Sequence, residues 1–95
     1  MTKIVYNADF GGFGLSDKAM ARIEELGGVP ANQGRSMPRT DPLLVQVVEE
    51  LGEEANGRYA TLQITELPAG TLWRIEEYDG RESVETPESY AWEVA

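Results

Sequence analysis

Past the middle of this 95-residue chain the hydrophobic period changes from helical to strand, and that change limits its folds more than any single motif. Across residues 41–51 the apolar side chains Leu44, Val47, Val48 and Leu51 fall at i, i+3, i+4 and i+7, one face of a helix. From Arg58 onward the period is two: Leu62 and Ile64 alternate with Thr61, Gln63 and Thr65. Helical patterning first and strand patterning after predict an α+β domain.

The remaining elements follow from local signals. Residues 2–8 read as a first strand, with Ile4, Val5 and Tyr6 as its apolar run. Ser16 is an N-cap, Asp17 favours the first turn, and Leu15 and Met20 take the two positions of a hydrophobic staple. A first helix then runs to about Leu26 and ends at Gly27-Gly28. Residues 29–40, with two prolines, a glycine and two arginines, read as a loop. Asp41 caps the second helix with Pro42 at N1, and Asn56-Gly57 reads as its stop. A strand around residues 61–65, a turn at Pro68-Ala69-Gly70 and a strand over residues 71–78 follow. Asp79-Gly80 marks a hairpin, residues 82–86 a short charged strand, and Tyr90, Trp92 and Val94 alternate in a last one. The predicted order is β-α-α-β-β-β(-β): one mostly antiparallel sheet of four to five strands, two helices on one face, and a single domain over residues 1–95.

Composition narrows the chemistry. A chain this size buries roughly 60–68% of its unfolded surface, enough for one modest core. There is no cysteine and no histidine, so disulfides, thiolate or imidazole metal sites and His-based triads are excluded. No Asp-rich ion-binding loop is present, and the expectation is a non-enzyme with no cofactor and no metal. No apolar run approaches a membrane span and no signal pattern opens the chain, which predicts a cytoplasmic protein without membrane association.

The net charge of −9 is lopsided. Residues 1–48 carry five acids and five bases; residues 49–95 carry twelve acids against Arg58, Arg74 and Arg81. Direct nucleic-acid binding by the second half would meet repulsion. Its acids, above all Glu76, Glu77, Asp79, Glu82 and Glu85, instead suit either a solvated surface or a mimic of nucleic-acid charge that docks on a partner.

The first half holds the candidate ligand site. Gly11, Gly12 and Gly14 lie between the first strand and the Ser16 cap, where glycine permits close backbone approach and helix amides face an anion. They match neither a P-loop nor a G-x-G-x-x-G fingerprint. A tight strand-to-helix turn also explains them, and spacing alone favours it. Phe10 and Phe13 suit stacking on a planar ligand or burial in the core. Arg35 and Arg39 suit an anion clamp, or for Arg39 a local pair with Asp41. Asn7 and Asp9 complete the set. The apolar face of Tyr90, Trp92 and Val94 suits closure of the sheet or a homo-oligomer.

Three blocks occur in order: Phe10-Gly11-Gly12-Phe13-Gly14-Leu15-Ser16; Arg39-Thr40-Asp41-Pro42 with Leu44-Val45 and Val47-Val48-Glu49-Glu50-Leu51-Gly52; and Trp73-Arg74-Ile75-Glu76-Glu77-Tyr78-Asp79-Gly80. Together they resemble a family of small proteins of tailed bacteriophages and prophages, over most of the chain. The family offers no catalytic role to carry over. Its members often have Cys or another polar residue with Tyr near the positions of Asp9 and Phe10, and a His-Arg-Thr-Trp-like ending where this chain reads Ser89-Tyr90-Ala91-Trp92. The resemblance implies an accessory, anti-defence role in the host cell. One form is sequestration of a small nucleotide-like ligand, without chemistry, at Asn7, Asp9, Phe10, Gly11, Gly12, Phe13, Gly14, Ser16, Arg35 and Arg39. The alternative is an acidic, nucleic-acid-mimicking inhibitor of a host nuclease or CRISPR complex, a host defence protein held through Glu76, Glu77, Asp79, Glu82 and Glu85.

Overall fold

Ser16 and Asp41 start the two helices through their own side chains. In the computed structural model, which describes residues 1–87, the Ser16 hydroxyl accepts the Ala19 amide at the head of α1 (Asp17–Glu25). Asp41 accepts the Leu43 and Leu44 amides at the head of α2 (Pro42–Leu51), with Pro42 in the first turn where no amide is required. α2 stops at Gly52, five residues before the expected Gly57, because Gly52 takes a positive φ of 58°. A 3₁₀ turn over Gly52–Ala55 then carries the chain to Asn56.

The strands are β1 (Thr2–Asn7), β2 (Leu62–Leu67), β3 (Arg74–Tyr78) and β4 (Arg81–Glu85). An α+β architecture is therefore present. The single sheet of four or five strands is not what the described residues form. β1 pairs antiparallel with β2, from Thr2 opposite Leu67 to Asn7 opposite Leu62. β3 and β4 make a separate antiparallel hairpin, from Arg74 opposite Glu85 to Tyr78 opposite Arg81. The free edge of β1 explains the split. Two of its outward amides are already taken: Val5 donates to the Arg39 carbonyl at 2.9 Å and Asn7 donates to the Glu82 carboxylate at 2.9 Å. A side chain of β4, not its backbone ladder, meets β1. The expected strand at Tyr90, Trp92 and Val94, on which the homo-oligomer expectation rested, lies outside the described residues.

The core forms between the helices and the β1–β2 pair. Ile23 of α1, Leu44 and Val47 of α2, and Val5 of β1 are fully buried there, and Phe13, Leu15, Ala55 and Leu62 join them, while Ile4, also fully buried, lies on the other face of β1. Leu15 is buried and Met20 packs partly against the same cluster, as their staple spacing requires. Among the described residues no helix is long and apolar enough to cross a membrane.

Candidate functional site

The glycine-rich segment, residues 10–14, is wedged between two other stretches of backbone. A Cβ on Gly11 would collide with the Cβ and carbonyl of Tyr59. On the same side Gly57 donates to the Gly14 carbonyl at 2.8 Å, with no room for a side chain between them. On the other side Gly80, in the β3–β4 turn, lies against the Phe10 carbonyl and the Gly12 amide. The glycines are thus first a requirement of packing.

That wedge creates two grooves. The first, of about 620 Å³, lies between β1 and the hairpin and is lined by Tyr6, Phe10, Glu76, Glu77, Tyr78 and Arg81, among others. Phe10 is 53% exposed there, with the Arg81 guanidinium 5.7 Å from its ring centre. Three glutamates, Glu76, Glu77 and Glu82, outnumber the single arginine, so this groove disfavours an anion.

The second groove, of about 500 Å³, carries the opposite balance. Gly11, Gly12, Phe13 and Gly14 form one wall, Arg58 and Tyr59 another, and Gln33 and Arg35 a third, with Ser16 and Asp17 at the head of α1. Two arginines face one carboxylate. Arg35 is anchored by its Nε, which donates to the Phe13 carbonyl at 2.9 Å. Arg58 lies 5.5 Å from the ring centre of Tyr59, which is 64% exposed. The amides of Gly11, Gly12, Phe13 and Gly14 donate to no protein acceptor among the described residues.

The other cations are occupied. Lys3 pairs with Glu49, Lys18 with Glu54, Arg22 with Glu50 and Glu25, Arg39 with Glu82, and Arg74 with Glu76. Among the described residues only Arg35, Arg58 and Arg81 have no carboxylate partner. Hydrogen bonding from Arg22, and then from Gln46, holds the Glu50 carboxyl below its ordinary range, and Glu50 in turn raises Arg22. The hydrogen bond to Glu49 raises Lys3. All three shifts lie away from the second groove.

Arg39 does not join Arg35 at an anion site. Its guanidinium stands 3.7 Å over the Phe13 ring and is doubly hydrogen-bonded to the buried Glu82 carboxylate. The local pair with Asp41 is absent as well, since that carboxylate caps α2. Ser16 is equally committed, its hydroxyl donating to the Glu54 carbonyl at 2.6 Å. Phe13 is core. Asn7 is fully buried and joins three segments: its Oδ1 accepts the Asp9 and Thr61 amides and its Nδ2 donates to the Asp9 and Gly80 carbonyls. Asp9 accepts the Phe10 amide and the Thr61 hydroxyl. Of the second-half acids, Glu76, Glu77 and Asp79 are exposed, Glu85 is half-buried and accepts the Ser83 hydroxyl, and Glu82 is buried.

Of the sequence candidates, the structure gathers Gly11, Gly12, Phe13, Gly14, Ser16 and Arg35 in the second groove, and leaves Asn7, Asp9, Phe10 and Arg39 outside its lining. It adds Gln33, Arg58 and Tyr59. An arginine-aromatic pair directly after the Asn56-Gly57 turn was a signal in the sequence; Gln33 had none. Among the described residues no group of acids is placed to hold a metal ion. No family model, curated protein or solved structure matches the chain.

Proposed function

We propose that the protein binds and sequesters a small nucleotide-like ligand in the Gly11–Arg35–Arg58 groove, with no reaction following. The observation that carries this is the convergence of two arginines without carboxylate partners on one groove of a chain with net charge −9. Five of the eight Lys and Arg side chains are taken up by carboxylates, and two left without one beside free backbone amides suit a phosphate. Tyr59 offers an exposed ring to a base. The groove volume lies within the usual range for small-molecule sites. Joined to the resemblance to small phage proteins, the reading is an accessory, anti-defence protein acting in the host cytoplasm.

Heat denaturation of the purified protein, followed by ultraviolet absorbance and mass spectrometry of the released molecules, and calorimetric titration with AMP, test this. A released nucleotide or saturable AMP binding, weakened more than tenfold by Arg58→Ala at unchanged melting temperature, is expected. No nucleotide released and no AMP bound by the folded protein overturns it. The alternative, an acidic inhibitor of a host nucleic-acid-binding complex, retains the exposed Glu76, Glu77 and Asp79 but loses Glu82, whose carboxylate faces Arg39. Capture of such a complex, abolished by Glu76→Gln with Glu77→Gln and untouched by Arg58→Ala, would favour it.

A further inference from the structure

Beside the second groove the backbone does something L-residues avoid. Asn32 (φ 58°, ψ 40°), Gln33 (φ 58°, ψ 34°) and Gly34 (φ 83°) are consecutive left-handed residues. Single residues visit this region, but a run of them with two side chains is costly. It persists only where surrounding contacts impose it. Here the Leu15 amide donates to the Gln33 carbonyl at 3.0 Å, and Gly34 lies against the Leu15 side chain. The Arg35 amide donates back to the Asn32 carbonyl at 3.1 Å.

The strained turn delivers Gln33 to the groove wall. Its Oε1 stands over Gly14, 3.4 Å from where a Cβ on that glycine would be. The Gln33 side chain is exposed at the groove wall, and its carboxamide makes no hydrogen bond to protein among the described residues, which leaves it open to a ligand. A carboxamide presents an acceptor and donors side by side, the complement of the N7 and N6 amino groups of adenine. Guanine offers two acceptors at the same edge and leaves the carboxamide oxygen opposed.

Resting on the groove reading above, we infer that Gln33 is the specificity-determining residue of this site, reading the adenine edge of a nucleotide whose phosphate lies on Arg35 and Arg58. Base identity is set by a side chain that the fold holds in an unfavourable backbone conformation.

Titration with AMP and with purine riboside 5′-monophosphate, which lacks the 6-amino group, tests the inference on wild type and Gln33→Gly. Wild type should prefer AMP by roughly tenfold, the worth of one good base contact. Gln33→Gly should bind both nucleotides equally, at the weaker level, while keeping or raising the melting temperature, because glycine is at ease at φ 58°. Gln33→Ala should lose the same preference without that relief. Equal binding of the two nucleotides by wild type, or an AMP preference surviving in Gln33→Gly, overturns the role of Gln33 and leaves the groove reading standing. Binding of neither nucleotide by folded wild type overturns both.

Discussion

Partly buried Arg39 and buried Glu82 form an ion pair across 43 residues of sequence, with Nη2 donating to Oε2 at 2.9 Å and Nη1 to Oε1. Glu82 also accepts the Asn7 amide, so one carboxylate joins the loop before α2, the end of β1 and the β3–β4 hairpin. Phe13 lies beneath the guanidinium and extends the link to the glycine-rich segment. The hairpin is thereby held to the core by a polar contact instead of a shared sheet.

Removing one partner of that pair should be severe. Arg39→Ala strands a buried carboxylate and is expected to cost about 3–5 kcal/mol in urea denaturation. The double change R39M with E82Q keeps an acceptor for the Asn7 amide, removes both charges, and should recover most of that loss. Equal instability of single and double variants would show that packing, not the uncompensated charge, sets the cost.

Asn7 is the second structural test. Its side chain makes four hydrogen bonds, the full capacity of a carboxamide. Asn7→Asp keeps the shape but turns the donor toward the Asp9 and Gly80 carbonyls into an acceptor. A loss of about 3 kcal/mol or more at pH 7 is expected, since two buried carbonyls lose their donor and face a charge. Chemical denaturation at pH 7 and near pH 4 should show a smaller deficit at the lower pH, where the new acid regains a proton.

The glycines should rank by what surrounds them. Gly11→Ala would place a methyl on Tyr59 backbone and should cost about 3 kcal/mol or prevent folding. Gly12 has φ 92° with open space around a Cβ, so Gly12→Ala should cost only about 1–2 kcal/mol, the strain of a left-handed residue. Thermal melting of both variants checks the order.

Glu50 carries a pH signature of known sign. Its carboxyl is held below the usual range by hydrogen bonds from Arg22 and Gln46, so its contribution is present above the unfolded pKa. That contribution is lost as pH falls through the lower, folded value. Stability curves of wild type and Glu50→Gln should therefore converge on acidification from pH 6 toward pH 3. The difference should be small and shrink with added salt, because the pair is on the surface.

Much of the local structure was legible in the sequence. Ser16, Asp41 and Pro42 act where their chemistry requires, and Leu44, Val47 and Val48 are buried as their spacing predicts. The hairpin turn at Asp79-Gly80 is also where it was expected. These features need only neighbouring residues, and neighbours are what a sequence displays.

The site was only partly legible. Arg39 reads as an anion ligand because it stands near a helix start, but a carboxylate 43 residues away takes it. Arg58 and Tyr59 become groove residues only because Gly11 lets two backbones touch.

By itself, then, the sequence determined the helix starts, the strand periods and the absence of histidine and cysteine chemistry. Tertiary structure decided that the strands split into two pairs, which cations are consumed, and which remain facing the groove. The physical reason is that charge pairing and edge satisfaction depend on long-range proximity: the edge of β1 was closed by Arg39 and Glu82, and no local pattern records which distant group will arrive there.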